Sequence, residues 1–126
     1  MTIQQKMKNL LLTAAAITLS TSALAQLTDF PEGAEPLTSD ALRAALVDKV
    51  FSITPAKGPA WRWEFKDNGY FFLNAGSFYN SGKWSTKDSS LCQDSGKTMG
   101  CNPMRQKDGV LYIKRGNGET LAFKPQ

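Results

Sequence analysis

The sequence predicts a mainly β domain, with a short N-terminal helix packed on a curled antiparallel sheet or small barrel of about six or seven strands. Three observations carry this. WRWEF (61–65) and YFFLN (70–74) are rich in aromatic residues, and in WRWEF apolar residues alternate with charged ones, the period of a strand with one buried face. The punctuation Asp67-Asn68-Gly69, Lys107-Asp108-Gly109 and Gly116-Asn117-Gly118 recurs at intervals suited to an antiparallel meander. Before the first strand, only one stretch has helical spacing.

That stretch begins at Thr38, a good N-cap, with Leu37 placed to staple onto Leu42 and Asp40 in the first turn. Leu42, Ala45, Leu46 and Val50 give one narrow apolar stripe. A strand is expected from Val50 to Thr54, then a loop over Pro55–Pro59. The first hairpin has a definable register. A three-residue Asp67-Asn68-Gly69 loop with a left-handed Gly69 sets Lys66 opposite Tyr70, Phe65 opposite Phe71, Trp63 opposite Leu73 and Trp61 opposite Ala75. Trp61, Trp63, Phe65, Phe71, Leu73 and Ala75 then share one face. A two-residue Asn-Gly loop would mix the faces.

The stretch Ala75–Gly82 reads as a hairpin connection, with a mobile loop at a barrel mouth as the alternative. A strand is expected around Trp84 and another over Ser89–Gln93. Met99–Gln106 contains Pro103 and is expected at an edge or as an irregular strand. Val110–Arg115 and Thr120–Lys124 form a closing hairpin. A small sheet with aromatics on one face curls, because closure removes exposed edges.

The N-terminus is organised differently. Residues 1–25 have the three parts of a cleavable signal peptide: a positive region with Lys6 and Lys8, an apolar run over Leu10–Leu19, and an Ala23-Leu24-Ala25 cleavage site. The apolar run is too short for a spanning helix, which needs about 20 residues. Residues 26–36 read as an irregular surface leader and 37–126 as a single β-rich domain. The expectation is a periplasmic or secreted protein with no membrane insertion after cleavage. Loss of Lys6 and Lys8 leaves 13 basic residues against 11 acidic, a net charge of +2. These charges are scattered, so no nucleic-acid footprint is expected.

Cys92 and Cys101 are the two cysteines, and an even count in an exported chain predicts a disulfide between them. The sequence contains no histidine, which removes the commonest general base, the histidine-dependent nucleophile arrangements and most zinc sites. With both thiols oxidised, a thiolate nucleophile is not expected. Carboxylates are the remaining route to an enzyme. Glu64, in line with Arg62 and Lys66, reads instead as part of a solvated charged face, and Asp88, Asp94, Asp108 and Glu119 as turn carboxylates. No catalytic residue, metal ligand or cofactor is assigned.

Tyr70 and Phe72 fall on the face opposite the tryptophans, with Arg62, Glu64 and Asn74. Tyr70, Phe72, Tyr79 and Arg62 are the candidate binding residues, since aromatics beside polar groups on a sheet face can form a binding surface. The expected function is non-catalytic binding of a small apolar or amphipathic ligand. The alternative is a protein-interaction module, such as an inhibitor or accessory subunit of an envelope enzyme.

The run ALRAALVDKVFSI, then WRWEF-KDNG-YFF, SGKW, the paired cysteines and DGVLYIKR resembles small exported proteobacterial proteins of unknown function, over Leu37 to Phe123. Gly82-Lys83-Trp84 is also similar to the Gly-x-Trp of lipocalins, although there it lies near the start of the barrel and here it is mid-chain. The resemblance implies an exported β domain and brings no catalytic residues with it.

Overall fold

The computed structural model describes residues 29–126; the stretch 1–25 read as a signal peptide and residues 26–28 of the expected leader lie outside them. Among the described residues, one helix, α1 (Ser39–Leu46), precedes eight strands: β1 (Lys49–Ile53), β2 (Trp61–Phe65), β3 (Tyr70–Ala75), β4 (Phe78–Lys87), β5 (Ser90–Asp94), β6 (Met99–Lys107), β7 (Val110–Lys114) and β8 (Thr120–Pro125). Each strand pairs antiparallel with the next, and β8 returns to β1, so the sheet closes into a barrel. The count is therefore eight, not six or seven. The closing seam is short: Phe51 opposes Pro125, Ser52 opposes Lys124, and the Gln126 N–H donates to the Val50 carbonyl.

The first hairpin has the predicted register throughout, from Phe65↔Phe71 to Trp61↔Ala75. Gly69 is left-handed at φ 91°, and the Lys66 N–H donates to the Tyr70 carbonyl at 2.8 Å. Alternation then sends Trp63, Phe65 and Phe71 inward, where they meet Phe51, Trp84 and Phe123. Ring centroids stand 5.2–6.3 Å apart across Phe51, Trp63, Phe65, Trp84 and Phe123. These are normal aromatic packing distances, so the part of the barrel nearest the helix is filled with side chains.

The helix begins as expected. Thr38 accepts the Ala41 N–H at 3.1 Å, and Leu42 and Leu46 are fully buried in the barrel core. The helix packs against β4 and β5, with the Ser39 hydroxyl within 3.0 Å of the Thr86 carbonyl and the Arg43 guanidinium over the Trp84 ring. It ends at Leu46, because Asp48 takes φ 60° and its N–H turns to the Phe65 carbonyl. Val50 therefore leaves the helical stripe and sits on the outer side of β1, opposite Glu64.

Three other segments bear on the sequence expectations. Ala75–Gly82 is mostly strand: only Gly76 and Ser77 turn, and β4 runs ten residues from Phe78. Pro103 sits at a locally open position, since over Met99–Pro103 β6 pairs with β5 alone. It lies where β6 stops pairing with β5 and starts pairing with β7, a point where a missing N–H interrupts no ladder. The leader is tied down at one point, where Glu35 exchanges two backbone hydrogen bonds with Gln106, beyond the start of β5.

Candidate functional site

Strand alternation builds one continuous outer surface across β2 to β6. Its rows follow the register: Arg62, Asn74 and Tyr79 in one; Glu64, Phe72 and Ser81 in the next; then Tyr70, Lys83, Asp94 and Met99. All four candidate residues, Arg62, Tyr70, Phe72 and Tyr79, lie on this surface. They do not converge on one point. Arg62 and Tyr79 flank Asn74 at the end of the barrel away from the helix, Tyr70 lies near the helix end, and Phe72 is half-buried between them.

Three large apolar side chains stay exposed on this surface, Tyr70 (43%), Tyr79 (58%) and Met99 (76%), whereas Phe78 (57%), opposite Ala75, belongs to the inward-facing row at the barrel end away from the helix. Around Tyr70 the surface dips into an open groove of about 520 Å³, bordered by Tyr70, Lys83, Ser85, Cys92, Asp94 and Met99. Sequence reasoning missed Lys83, Asp94 and Met99. Their adjacency depends on the β4–β5–β6 register, and no local pattern announces it. Register also places Cys92 directly opposite Cys101, and the two form a disulfide beside the groove. The bridge is compatible with an oxidising, exported location.

Glu64 is held between two cations, with the Arg62 guanidinium at 3.4 Å and the Lys66 ammonium at 3.3 Å. The three side chains form one charged row on the outer face of β2 and the turn that follows it.

Glu119 departs from its reading as a turn carboxylate. It is only 4% exposed, at the barrel end away from the helix. Its carboxylate accepts the Ala56 N–H at 2.8 Å and the Arg115 guanidinium at 2.7 Å, while Arg115 stacks over the Trp61 ring. Burial by itself would push the carboxyl pKa up. The Ala56 N–H and the Arg115 guanidinium outweigh it and hold the group below the ordinary carboxylate range. This cluster fastens the 54–60 loop to the β7–β8 turn through hydrogen bonds to both carboxylate oxygens. It is a fastening, not an open site.

A smaller cleft of about 250 Å³ opens beside the C-terminal end of α1, where Ala45, Phe51, Leu111 and Phe123 meet Lys49 and Gln106. It reaches the edge of the aromatic core. Comparison with known protein families, with curated proteins and with solved structures finds no match to this chain.

Proposed function

We propose that this chain is an exported, periplasmic or secreted, non-catalytic module that docks a partner protein of the cell envelope on the outer face of β3 to β6. One observation carries the reading. The barrel interior near the helix is filled by aromatic side chains, while Tyr70, Tyr79 and Met99 stay exposed on one outer face. Exposed aromatics and methionine on a rigid sheet are the side chains that dominate protein–protein contacts. A groove as open as the one at Tyr70 would leave much of a small molecule in water, whereas small-ligand sites bury most of their ligand.

The test is affinity capture from an envelope extract with the wild-type domain beside Tyr70→Ala and Met99→Ala forms. Both side chains are exposed, so neither change should disturb the fold. The expected result is an envelope protein held by the wild type and lost from both variants. If the variants retain the same proteins as the wild type, the face is not the docking surface.

A second reading, a small amphipathic ligand, draws support from the cleft that touches Phe51, Leu111 and Phe123 and is also lined by Lys49, whose ammonium donates to the Ala44 and Ala45 carbonyls. At about 250 Å³ it is below the usual range for ligand sites. Titration with octanoate, followed by tryptophan emission, tests it, because Trp63 packs 5.4 Å from Phe123. Saturable quenching that disappears in Lys49→Ala supports this reading; a flat titration removes it.

A further inference from the structure

The closed barrel leaves part of β4 covered on a single side. β3 pairs with β4 from Phe78 to Lys83, but β5 pairs with β4 only from Lys83 to Lys87. Among the described residues, Phe78–Gly82 therefore has no ladder partner on its second side. The direction of its free groups follows from alternation. The Trp84 N–H donates to the Gly69 carbonyl, toward β3. Tyr79 and Ser81, an odd number of residues away, turn their N–H and C=O groups away from β3.

The cause is local. After Asp94 the chain leaves the ladder and crosses the inner side of Gly82, with the Ser95 Cα only 2.7 Å from where a Cβ on Gly82 would stand. It therefore does not continue alongside β4. The Ser81 N–H is held meanwhile by the side chain of its own neighbour, Asn80, at 3.0 Å.

We propose that this edge is a self-pairing surface, and that two copies of the chain associate by antiparallel β4–β4 pairing about a two-fold axis at Asn80. A row of unpaired N–H and C=O groups at strand spacing recognises another strand. The order of side chains names which strand. Phe78 and Tyr79 are large and Ser81 and Gly82 are small, so a two-fold about Asn80 sets Tyr79 of each copy against Ser81 of the other. The segment Phe78–Gly82 carries no charge, so nothing repels across the axis. Tyr79 and Ser81 then form the hydrogen-bonded pairs, giving four main-chain bonds at the centre of an isologous contact. Each Asn80 side chain gives up the Ser81 N–H as the contact forms. Pairing also covers Phe78 and Tyr79, both more than half exposed in the single chain.

The experiment is sedimentation equilibrium of the disulfide-bonded protein from micromolar to millimolar concentration, with amide hydrogen exchange at both ends of the range. The expected result is a monomer–dimer equilibrium in which the Tyr79 and Ser81 amides slow by at least about tenfold on association. Tyr79→Lys, a charge at an exposed edge position, should weaken association by at least about tenfold without moving the thermal transition. Ser81→Pro removes an N–H that β3 does not use, and it provides a second variant with the same expected effect. Tyr70→Ala should leave the dimer intact, which separates this proposal from the docking of a partner protein. A monomer at millimolar concentration overturns the proposal. So does a dimer whose Tyr79 and Ser81 amides exchange as in the monomer, or one that Tyr79→Lys leaves as tight as wild type.

Discussion

Gly82→Ala is the single-methyl change for which the structure makes the sharpest demand. A Cβ at this position would stand 2.7 Å from the Ser95 Cα and 2.9 Å from the Asp94 carbonyl carbon, with the Asp94 oxygen nearer still. Carbon pairs rest at about 3.5–4.0 Å, so the chain after Asp94 has to retreat by roughly 0.8 Å. All three obstacles are main chain and cannot rotate aside. They are held on one side by the Lys83↔Asp94 pair and, two residues earlier, by the disulfide at Cys92. Overpacking costs about 1–3 kcal/mol, and the upper end applies to an obstacle of this kind. The smaller entropy of the unfolded alanine chain returns about 0.4–1 kcal/mol. The net expectation is a loss of about 2 kcal/mol, or roughly 8–16 °C in Tm for a domain of this size. Gly100→Ala is the matched control. Gly100 is also in a strand, its φ is not positive, and a Cβ there meets nothing within 4 Å. Urea unfolding of both variants, compared at equal m values, measures the difference. If Gly82→Ala lies within about 0.5 kcal/mol of Gly100→Ala, the reasoning about main-chain obstruction is refuted.

Three further outcomes are expected. Replacing both cysteines by serine removes a bridge spanning a sequence separation of 9. The chain-entropy relation puts the loss at about 2.5 kcal/mol; unfolding midpoints with and without reductant should differ by that amount in the wild type and not in the variant. Glu119→Gln should flatten the acid side of the stability curve. The folded-state pKa of Glu119 lies below its ordinary value, so its contribution is fully present above the ordinary carboxylate range and is lost as pH falls through the folded value. At neutral pH the change should cost about 1–2 kcal/mol, less than a fully buried pair because the Arg115 side chain is 37% exposed. Equal pH slopes for variant and wild type would show that Glu119 is not the group responsible. Thr38→Ala removes the acceptor for the Ala41 N–H and should cost about 1 kcal/mol, measured by thermal unfolding; no change would mean that the cap contributes nothing to α1.

Legibility in the sequence followed the range of the interactions. The β2–β3 register could be read because it depends on three adjacent signals: two aromatic-rich strand runs and the Asp67-Asn68-Gly69 turn between them. Strand alternation separated Trp63 and Phe65, which fill the barrel, from Tyr70 and Phe72, which stay outside. The cap at Thr38 and the pairing of Cys92 with Cys101 were equally local. The length of β4 was harder. Its first half, Phe78-Tyr79-Asn80-Ser81-Gly82, is polar and small enough to pass for a loop, and it becomes strand because β3 pairs with it. Glu119 looked like any turn carboxylate because its partner Ala56 is 63 residues away.

By itself, then, the sequence determined the fold class, the first hairpin with its faces, the helix start and the cysteine pair. Each of these rests on dihedral preference and period within a short window. Tertiary structure decided the rest: closure of β8 onto β1, the groove that joins Tyr70 to Lys83, Asp94 and Met99, the burial of Glu119 and the open side of β4. Those features depend on which strands become neighbours and where each stops. Barrel closure settles that all at once, because shifting one register displaces every contact across the wall.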